Sequence, residues 1–376
     1  MRPVWRKFAA LFLAVLLTLS LASCDTTDKT WAMKRGDTVI PIGCYIYNFY
    51  TATMNASYQD GVDSSKSMLE QEIEGKPAET WIRENAIRST KLILAIDDMM
   101  AEMGLSLSEE DQKQIETNTN SMWAQYSSVL EDNVAKSSFK KANTELNYKY
   151  TMVFKALYEK GGEKEVPEDE IVKYVTDHYT DYSYIMAPLY DSSYADLKDE
   201  DKKAIRDLLK DCATKINDGT MTIEEAAEAY EKEMETSDSL TSGMANLEEQ
   251  EESNELIEAL KEMDAEEARF VDLSEDSSVY VLVYKRDINK TVDTYLEEDT
   301  NRLTILDELR GEEFADMMEE KVDSLSGVEI NEAALNDYKA SMYYTFKEPA
   351  SSAGSSSAAS SSASSSEASS EATQSE

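Results

Sequence analysis

The residue types that carry most enzyme chemistry are scarce in this sequence. It contains one histidine, His178, and three cysteines, Cys24, Cys44 and Cys212. A Ser-His-Asp or Cys-His catalytic arrangement needs an imidazole beside the nucleophile, and a structural zinc site needs four nitrogen or sulfur ligands. One histidine on a predicted helix supplies neither. We therefore expect no histidine-dependent hydrolase, no metal site and no cofactor.

The charge of the chain excludes another class of function. Its 376 residues include 37 basic and 76 acidic side chains, which give a formal net charge of −39. Such a charge repels polyphosphate, so we expect no nucleic-acid partner. The acidic run at residues 248–252 lacks the spaced ligands and the turn glycine of a calcium loop, and we interpret it as solvated surface.

Apolar residues are 41% of the chain, enough for packed cores, and the length suits two domains.

The N-terminus has the pattern of an export signal. Three basic residues precede an apolar run at residues 8–19, which is too short to span a bilayer. The sequence then reads Leu-Ala-Ser-Cys at residues 21–24, which resembles the lipobox of bacterial lipoproteins. The resemblance implies a signal peptide at 1–23, a diacylglycerol on Cys24 and a tether at 24–30. We expect the protein at the extracytoplasmic face of the bacterial cell membrane, anchored by this lipid. An ordinary secretory signal is the alternative.

Residues 31–165 are predicted to form a helical domain. A hairpin is expected around Gly36, which supplies the turn geometry. One helix is predicted over residues 78–103, because its apolar residues recur at spacings of three, four and seven, and Ser108 is expected to cap the next helix. A further helix is expected to carry one apolar stripe over residues 139–157. Each stripe needs a partner surface, so we expect these helices to pack together.

Residues 166–287 mix helical and strand patterns and are predicted to form a small α+β domain. Helices and strands are expected in the order helix, strand, helix, helix, helix, strand, strand, at residues 168–179, 182–187, 202–216, 223–233, 254–263, 270–273 and 279–284. The segment 236–243 is expected to be a loop. Residues 288–346 are predicted to be helical again, with a short strand near their end. Residues 347–376 are nearly all Ser, Ala and Glu, and we expect them to be disordered.

Three short motifs, through their order and spacing, indicate a family. They read Met-Gly-Leu-Ser-Leu-Ser-Glu-Glu at residues 103–110, Val-Pro-Glu-Asp-Glu-Ile at 166–171 and Val-Glu-Ile-Asn at 328–331. They resemble segments of the PrsA-type foldase lipoproteins and their SurA-type relatives, and the resemblance covers residues 31–344. It implies an α+β fold in which a helical chaperone domain is built from both chain ends. A small parvulin-type peptidyl-prolyl isomerase domain is inserted between them.

The resemblance also implies where an isomerase site would lie. Parvulin-type isomerases have one histidine on the first strand and one on the last, near an Asp or Cys and beside an apolar seat for proline. Here the histidine positions match Tyr184 and Tyr280, the acidic position matches Asp238, and Ile257 and Leu260 correspond to the seat. A tyrosine cannot reproduce a paired-imidazole network, so we expect isomerase activity to be weak or lost. Strand packing is the alternative interpretation of the two tyrosines.

These observations favour a membrane-anchored extracytoplasmic chaperone, or foldase, whose partners are unfolded or partly folded exported proteins. Such a protein needs an adaptable apolar surface, and the 17 Met and 21 Tyr residues suit one. An active peptidyl-prolyl cis-trans isomerase is the first alternative. A solute-binding lipoprotein, with a cleft between two α/β lobes, is the second. We expect Cys44 and Cys212 to be buried free thiols, although the compartment permits a disulfide.

Overall fold

The structure is a computed structural model that describes residues 28–248, 255–275 and 277–346. The predicted signal peptide, the lipidation at Cys24 and the predicted disordered tail lie outside the described residues. Within the described ranges, no helix is both long enough and apolar enough to cross a membrane. The chain folds as an α+β protein with a helix-rich body and a four-stranded sheet, which confirms the predicted fold class.

A three-stranded antiparallel sheet joins both ends of the chain. Strands β1 (Trp31–Arg35) and β2 (Thr38–Pro41) form the predicted hairpin. Gly36 makes its turn at a φ of +57°, a backbone conformation that favours glycine. Strand β9 (Glu329–Ile330), near the C-terminal end, pairs with the other edge of β1. The helical body is therefore built from both chain ends.

Five helices of the body come from the N-terminal half. They are α1 (Ile42–Ala56), α2 (Ala78–Glu102), α3 (Glu109–Leu130), α4 (Lys136–Ala142) and α5 (Thr144–Tyr158), with a short hairpin of β3 (Glu72–Ile73) and β4 (Lys76–Pro77) before α2. The predicted cap is confirmed: the Ser108 hydroxyl accepts from the Asp111 amide, and the Asp111 carboxylate accepts from the Ser108 amide. The predicted single helix over residues 139–157 is wrong. The backbone of Asn143, at φ −122° and ψ −86°, is not helical and separates α4 from α5.

The C-terminal segment completes the core of the body. It forms α10 (Ile288–Glu297), α11 (Asp299–Ser324) and α12 (Glu332–Leu335). Phe314 of α11 is 1% exposed. Its ring centroid lies 4.6 Å from that of Tyr150 and 5.2 Å from that of Phe154, both on α5. The two chain ends thus share one apolar cluster.

A four-stranded antiparallel sheet and its helices occupy the middle of the chain. The elements are α6 (Glu168–His178), β5 (Tyr179–Pro188), α7 (Asp199–Asn217), α8 (Ile223–Met234), β6 (Leu240–Asn246), α9 (Glu255–Glu262), β7 (Ala268–Leu273) and β8 (Val279–Lys285). The strand order is β6-β5-β8-β7. The predicted loop at residues 236–243 is wrong in its second half, because β6 begins at Leu240. This edge strand lacks apolar alternation, and its Gly243 leaves room for the paired Tyr182, whose hydroxyl would lie 3.2 Å from an added Cβ.

The two faces of this sheet bury different clusters, because side chains alternate along each strand. Ile185 pairs directly with Leu282, and both pack with Cys212 in the cluster that α7 and α8 cover. Val281 belongs to the cluster on the opposite face, beneath α9. Cys212 is buried and free, and so is Cys44 in the core of the helical body, as predicted.

Helix α6 connects the sheet to the helical body. Its buried Ile171 and Val175 belong to the same apolar cluster as Val292 and Leu296 of α10. The predicted domain boundaries after residues 165 and 287 stay predictions. The packing places the helix that follows the first boundary in the core of the body.

Candidate functional site

The two tyrosines at the predicted isomerase positions lie on opposite faces of the sheet. Tyr184 of β5 pairs with Val283, whereas Tyr280 of β8 pairs with Ala187 of β5. Paired residues of antiparallel strands point to the same face. Ala187 is three positions after Tyr184 on β5, and residues an odd number of positions apart on a strand point to opposite faces. Tyr184 therefore packs on the α9 side and Tyr280 on the α7 side. The structure does not bring these two side chains into one site.

Tyr280 is engaged in packing on its own face. It is 2% exposed, and its hydroxyl accepts a hydrogen bond from the Arg206 guanidinium. The central carbon of that guanidinium lies 4.8 Å from the Tyr280 ring centroid, and the group is 3.2 Å from the Asp272 carboxylate. These contacts are those of a buried strand residue held by a cation–π pair.

The α9 face gathers some of the other predicted site residues. Tyr184 is half-buried there with its ring centroid 6.2 Å from that of Tyr182, and Ile257 and Leu260 of α9 pack in the same cluster. Asp238 is exposed on the loop before β6, at a φ of +55°, and accepts from the Ser237 hydroxyl at 3.2 Å. Tyr184 and Ile257 thus share an apolar face, and their role in proline binding stays a prediction.

His178 lies at the C-terminal end of α6. Its ring centroid is 4.6 Å from that of Tyr174, and its Nδ1 is 4.0 Å from the Glu248 carboxylate. Most of the acidic run that begins at Glu248 lies outside the described residues. Among the residues that are described, no group of three or more His, Cys, Asp or Glu side chains could hold a metal ion.

A groove in the helical body is a second candidate site, and the sequence did not predict it. It has a volume of about 680 Å³ and lies between α3, α5 and the start of α11. Its lining combines apolar and uncharged polar side chains with one ion pair: Met122, Met152, Leu303, Tyr148, Asn118, Asn143, Asn147, Thr144, Thr151, Thr300, Lys155 and Asp299. A second depression of about 310 Å³ shares Thr151 and Leu303 with it, so the groove continues between α5 and α11.

One buried polar atom in this groove lacks a partner. Asn143 is 8% exposed, and its Nδ2 donates to the Tyr47 hydroxyl. Its Oδ1 is buried and has no hydrogen-bond partner within the described residues. Leaving a buried acceptor unpaired costs about 1–3 kcal/mol. The atom has almost no accessible surface, so the groove does not present it to a ligand.

The sequence contained one signal for this site. Asn143 stands at the point where α4 ends and α5 begins, and asparagine is a residue that favours helix ends. The remaining lining residues come from helices that are distant in sequence, so no local pattern indicates them.

Comparisons with known proteins find similarity only among solved structures, and at a low level. No protein-family model matches the sequence, and no curated protein does. The solved structure of foldase protein PrsA from Streptococcus pneumoniae is 13% identical with a TM-score of 0.36, and the match covers 67% of this chain and 87% of that one. PrsA from Bacillus subtilis is 14% identical with a TM-score of 0.32, covering 69% and 90%. The chain is therefore similar to PrsA structures, and a likeness at this level does not assign an activity.

Proposed function

We propose that this protein is a membrane-anchored extracytoplasmic chaperone that holds unfolded or partly folded exported proteins in the groove of its helical body. The observation that carries this proposal is the 680 Å³ groove with its mixed lining. Ligand pockets in proteins typically measure about 300–1,000 Å³, so the groove suits large side chains of an extended segment. Met122 and Met152 offer surfaces that adapt to different apolar side chains.

The polar part of the lining suits a polypeptide more than a purely apolar ligand. An extended client segment carries backbone N–H and C=O groups that lose water when they enter a groove. Asn118 and Asn147, which are exposed in the groove, offer both donors and acceptors to such groups. The net charge of −39 keeps the protein and a loaded complex soluble.

The anchor would hold the body close to the membrane. Asp28 fixes the start of the described chain, because its carboxylate accepts from the Gly43 amide at 2.7 Å and from the Ser138 hydroxyl. Asp28 lies four residues beyond Cys24, a length of chain that spans at most about 14 Å. A lipid on Cys24 would therefore hold the helical body close to the membrane surface.

Weak or lost prolyl isomerase activity is part of the proposal. It is supported by the absence of histidine from both family positions and by the separation of Tyr184 from Tyr280 on opposite faces. We expect the mature chain to leave the rate of a proline-limited refolding reaction unchanged. An acceleration that Tyr184→Ala abolishes would show an active isomerase instead.

The groove is tested by blocking it from an exposed position. Asn147 lines the groove but is exposed, so Asn147→Trp fills the groove without disturbing the core. Ala124→Trp is the matched control, because Ala124 is exposed on α3 and does not line the groove. The assay measures light scattering of an unfolded client protein during dilution, with the mature chain from residue 25 onward.

We expect the native protein and Ala124→Trp to suppress aggregation equally and Asn147→Trp to lose most of the suppression. Far-ultraviolet circular dichroism and the melting temperature establish that both variants are folded. Equal suppression by both variants would contradict the placement of the client site in the groove.

A further inference from the structure

Two tyrosines form an exposed aromatic stack at one end of the sheet. Tyr190 and Tyr194 lie on the loop between β5 and α7, with ring centroids 5.6 Å apart and ring planes 24° from parallel. Tyr190 is 36% exposed and Tyr194 is 85% exposed. Met186, near the end of β5, is also exposed. Large aromatic side chains are usually buried, and two of them stacked in solvent indicate a contact surface.

The loop that carries these rings is held in one conformation. We call residues 189–197 the tyrosine loop. Its ends are joined by the Leu197 amide, which donates to the Leu189 carbonyl at 2.9 Å. Inside it, the Asp191 carboxylate accepts from the Ser193 amide at 2.8 Å and from the Ala195 amide at 3.1 Å. These hydrogen bonds order the backbone that carries both rings, which lowers the entropy cost of binding.

Tyr194 adopts a backbone conformation that its side chain disfavours. Its φ is +60°, in the left-handed region where a bulky side chain is a rare exception. A glycine or asparagine would satisfy this backbone with less strain. The loop keeps an aromatic side chain there, and the consequence is a ring that points into solvent beside Tyr190. Such an outlier suggests that the ring is retained for contact with a partner.

The charge around the stack selects the kind of partner. The tyrosine loop itself carries two carboxylates, Asp191 and Asp196, and no basic side chain. Asp196 is 80% exposed, and its only ion pair within the described residues is with Lys202, at 3.6 Å. The face of an aromatic ring attracts cations, and nearby carboxylates add to the attraction. Aromatic faces among carboxylates fit a lysine or arginine side chain.

We propose that the tyrosine loop is a docking site for lysine- or arginine-containing segments of unfolded client proteins. The cationic side chain lies on the Tyr194 ring while the neighbouring carboxylates pair with it. This inference rests on the proposed chaperone function and adds a second contact, which selects basic segments of the same clients. The groove accepts their apolar segments.

The experiment measures binding of a fluorescent peptide by anisotropy at low and physiological salt. The peptide alternates arginine with serine, and the control peptide carries neutral citrulline at each arginine. The variants of the mature chain are Tyr194→Gly, Tyr194→Phe and Tyr58→Ala. Tyr58 is the matched control, because it is 87% exposed but lies on the helical body.

We expect the native protein to prefer the arginine peptide. Tyr194→Gly should weaken that binding by about two- to fivefold, the size of an exposed cation–π contact. Tyr194→Phe and Tyr58→Ala should bind as the native protein does. The melting temperature of Tyr194→Gly should not fall, because the substitution removes an unfavourable backbone conformation. Equal affinity for the two peptides, or equal binding by Tyr194→Gly and Tyr58→Ala, would overturn the proposal.

The outcomes separate this inference from the proposed function. Suppression of aggregation of an uncharged, apolar client depends on the groove, so Tyr194→Gly should retain it and Asn147→Trp should lose it. If the peptide experiment fails while that suppression persists, only the docking site is wrong. If the suppression is absent from the native protein, the chaperone function itself is wrong.

Discussion

Replacing Phe314 with alanine tests whether the two chain ends form one cooperative body. Phe314 is 1% exposed and contacts Tyr150, Phe154 and Tyr158, with centroid distances of 4.6, 5.2 and 6.2 Å. Removing a buried phenylalanine ring costs about 3–5 kcal/mol, which is the lost transfer energy plus the energy of the cavity left behind. For a unit of 150–250 residues, this cost lowers the melting temperature by about 6–20 °C.

The assay combines urea unfolding with hydrogen exchange measured by mass spectrometry. We expect Phe314→Ala to reduce amide protection in α5 as well as in α11, because the lost contacts lie between them. Phe270→Ala, in the sheet, is the matched control and should leave the protection of α5 unchanged. A loss below about 1 kcal/mol, or a loss of protection confined to α10, α11 and α12, would refute a shared core.

Other predictions follow from single contacts. The Arg302 guanidinium donates two hydrogen bonds to the Glu168 carboxylate, at 2.7 and 3.0 Å, and lowers its pKa in the folded protein. The stability that Glu168 contributes should therefore be fully present above the pKa that Glu168 has in the unfolded chain. It should be lost as the pH falls through the lower pKa of the folded state. The difference in unfolding free energy between the native protein and Glu168→Gln should therefore vanish in acid; a difference that persists there would contradict this. Burial raises the pKa of the Cys44 thiol to about 12 and also raises the pKa of Cys212, so a thiol reagent at pH 8 should label neither residue until urea unfolds the chain. Rapid labelling of the folded protein would show that the thiols are accessible. Ser108→Ala should destabilise the helical body by about 1 kcal/mol in urea unfolding, because α3 loses its capping box, whereas no change would mean that the cap is replaced by water.

Local patterns predicted most elements of this fold, because those patterns act over a few residues. The capping box at Ser108 and the turn at Gly36 depend only on residues nearby in the sequence, and the structure confirms both. The strand β6 was missed because its residues show no alternation, and it forms by pairing with β5. The break at Asn143 was missed because the apolar spacing continues across it. A strand that forms by pairing with another strand, or a helix break that depends on the backbone of one residue, leaves no trace in the periodicity of apolar residues.

The candidate site was less predictable than the fold. The resemblance to parvulin-type isomerases suggested that Tyr184 and Tyr280 could act together. The pairing register decides which face each residue takes, and a shift of one residue reverses that face. The groove is assembled from α3, α5 and α11, whose lining residues are far apart in the chain. The spacing of residues along the chain does not show which helices pack against one another. The family resemblance predicted the order of the domains, but the positions of the side chains in the candidate site come from the structure.

The central claim is that client segments occupy the groove of the helical body. The most direct test places a photo-crosslinking amino acid at position 147, inside the groove, and at position 124, outside it, and irradiates each protein with an unfolded client. We expect crosslinks to the client from position 147 and few or none from position 124. Equal crosslinking from both positions, or crosslinking from position 124 alone, would contradict the claim.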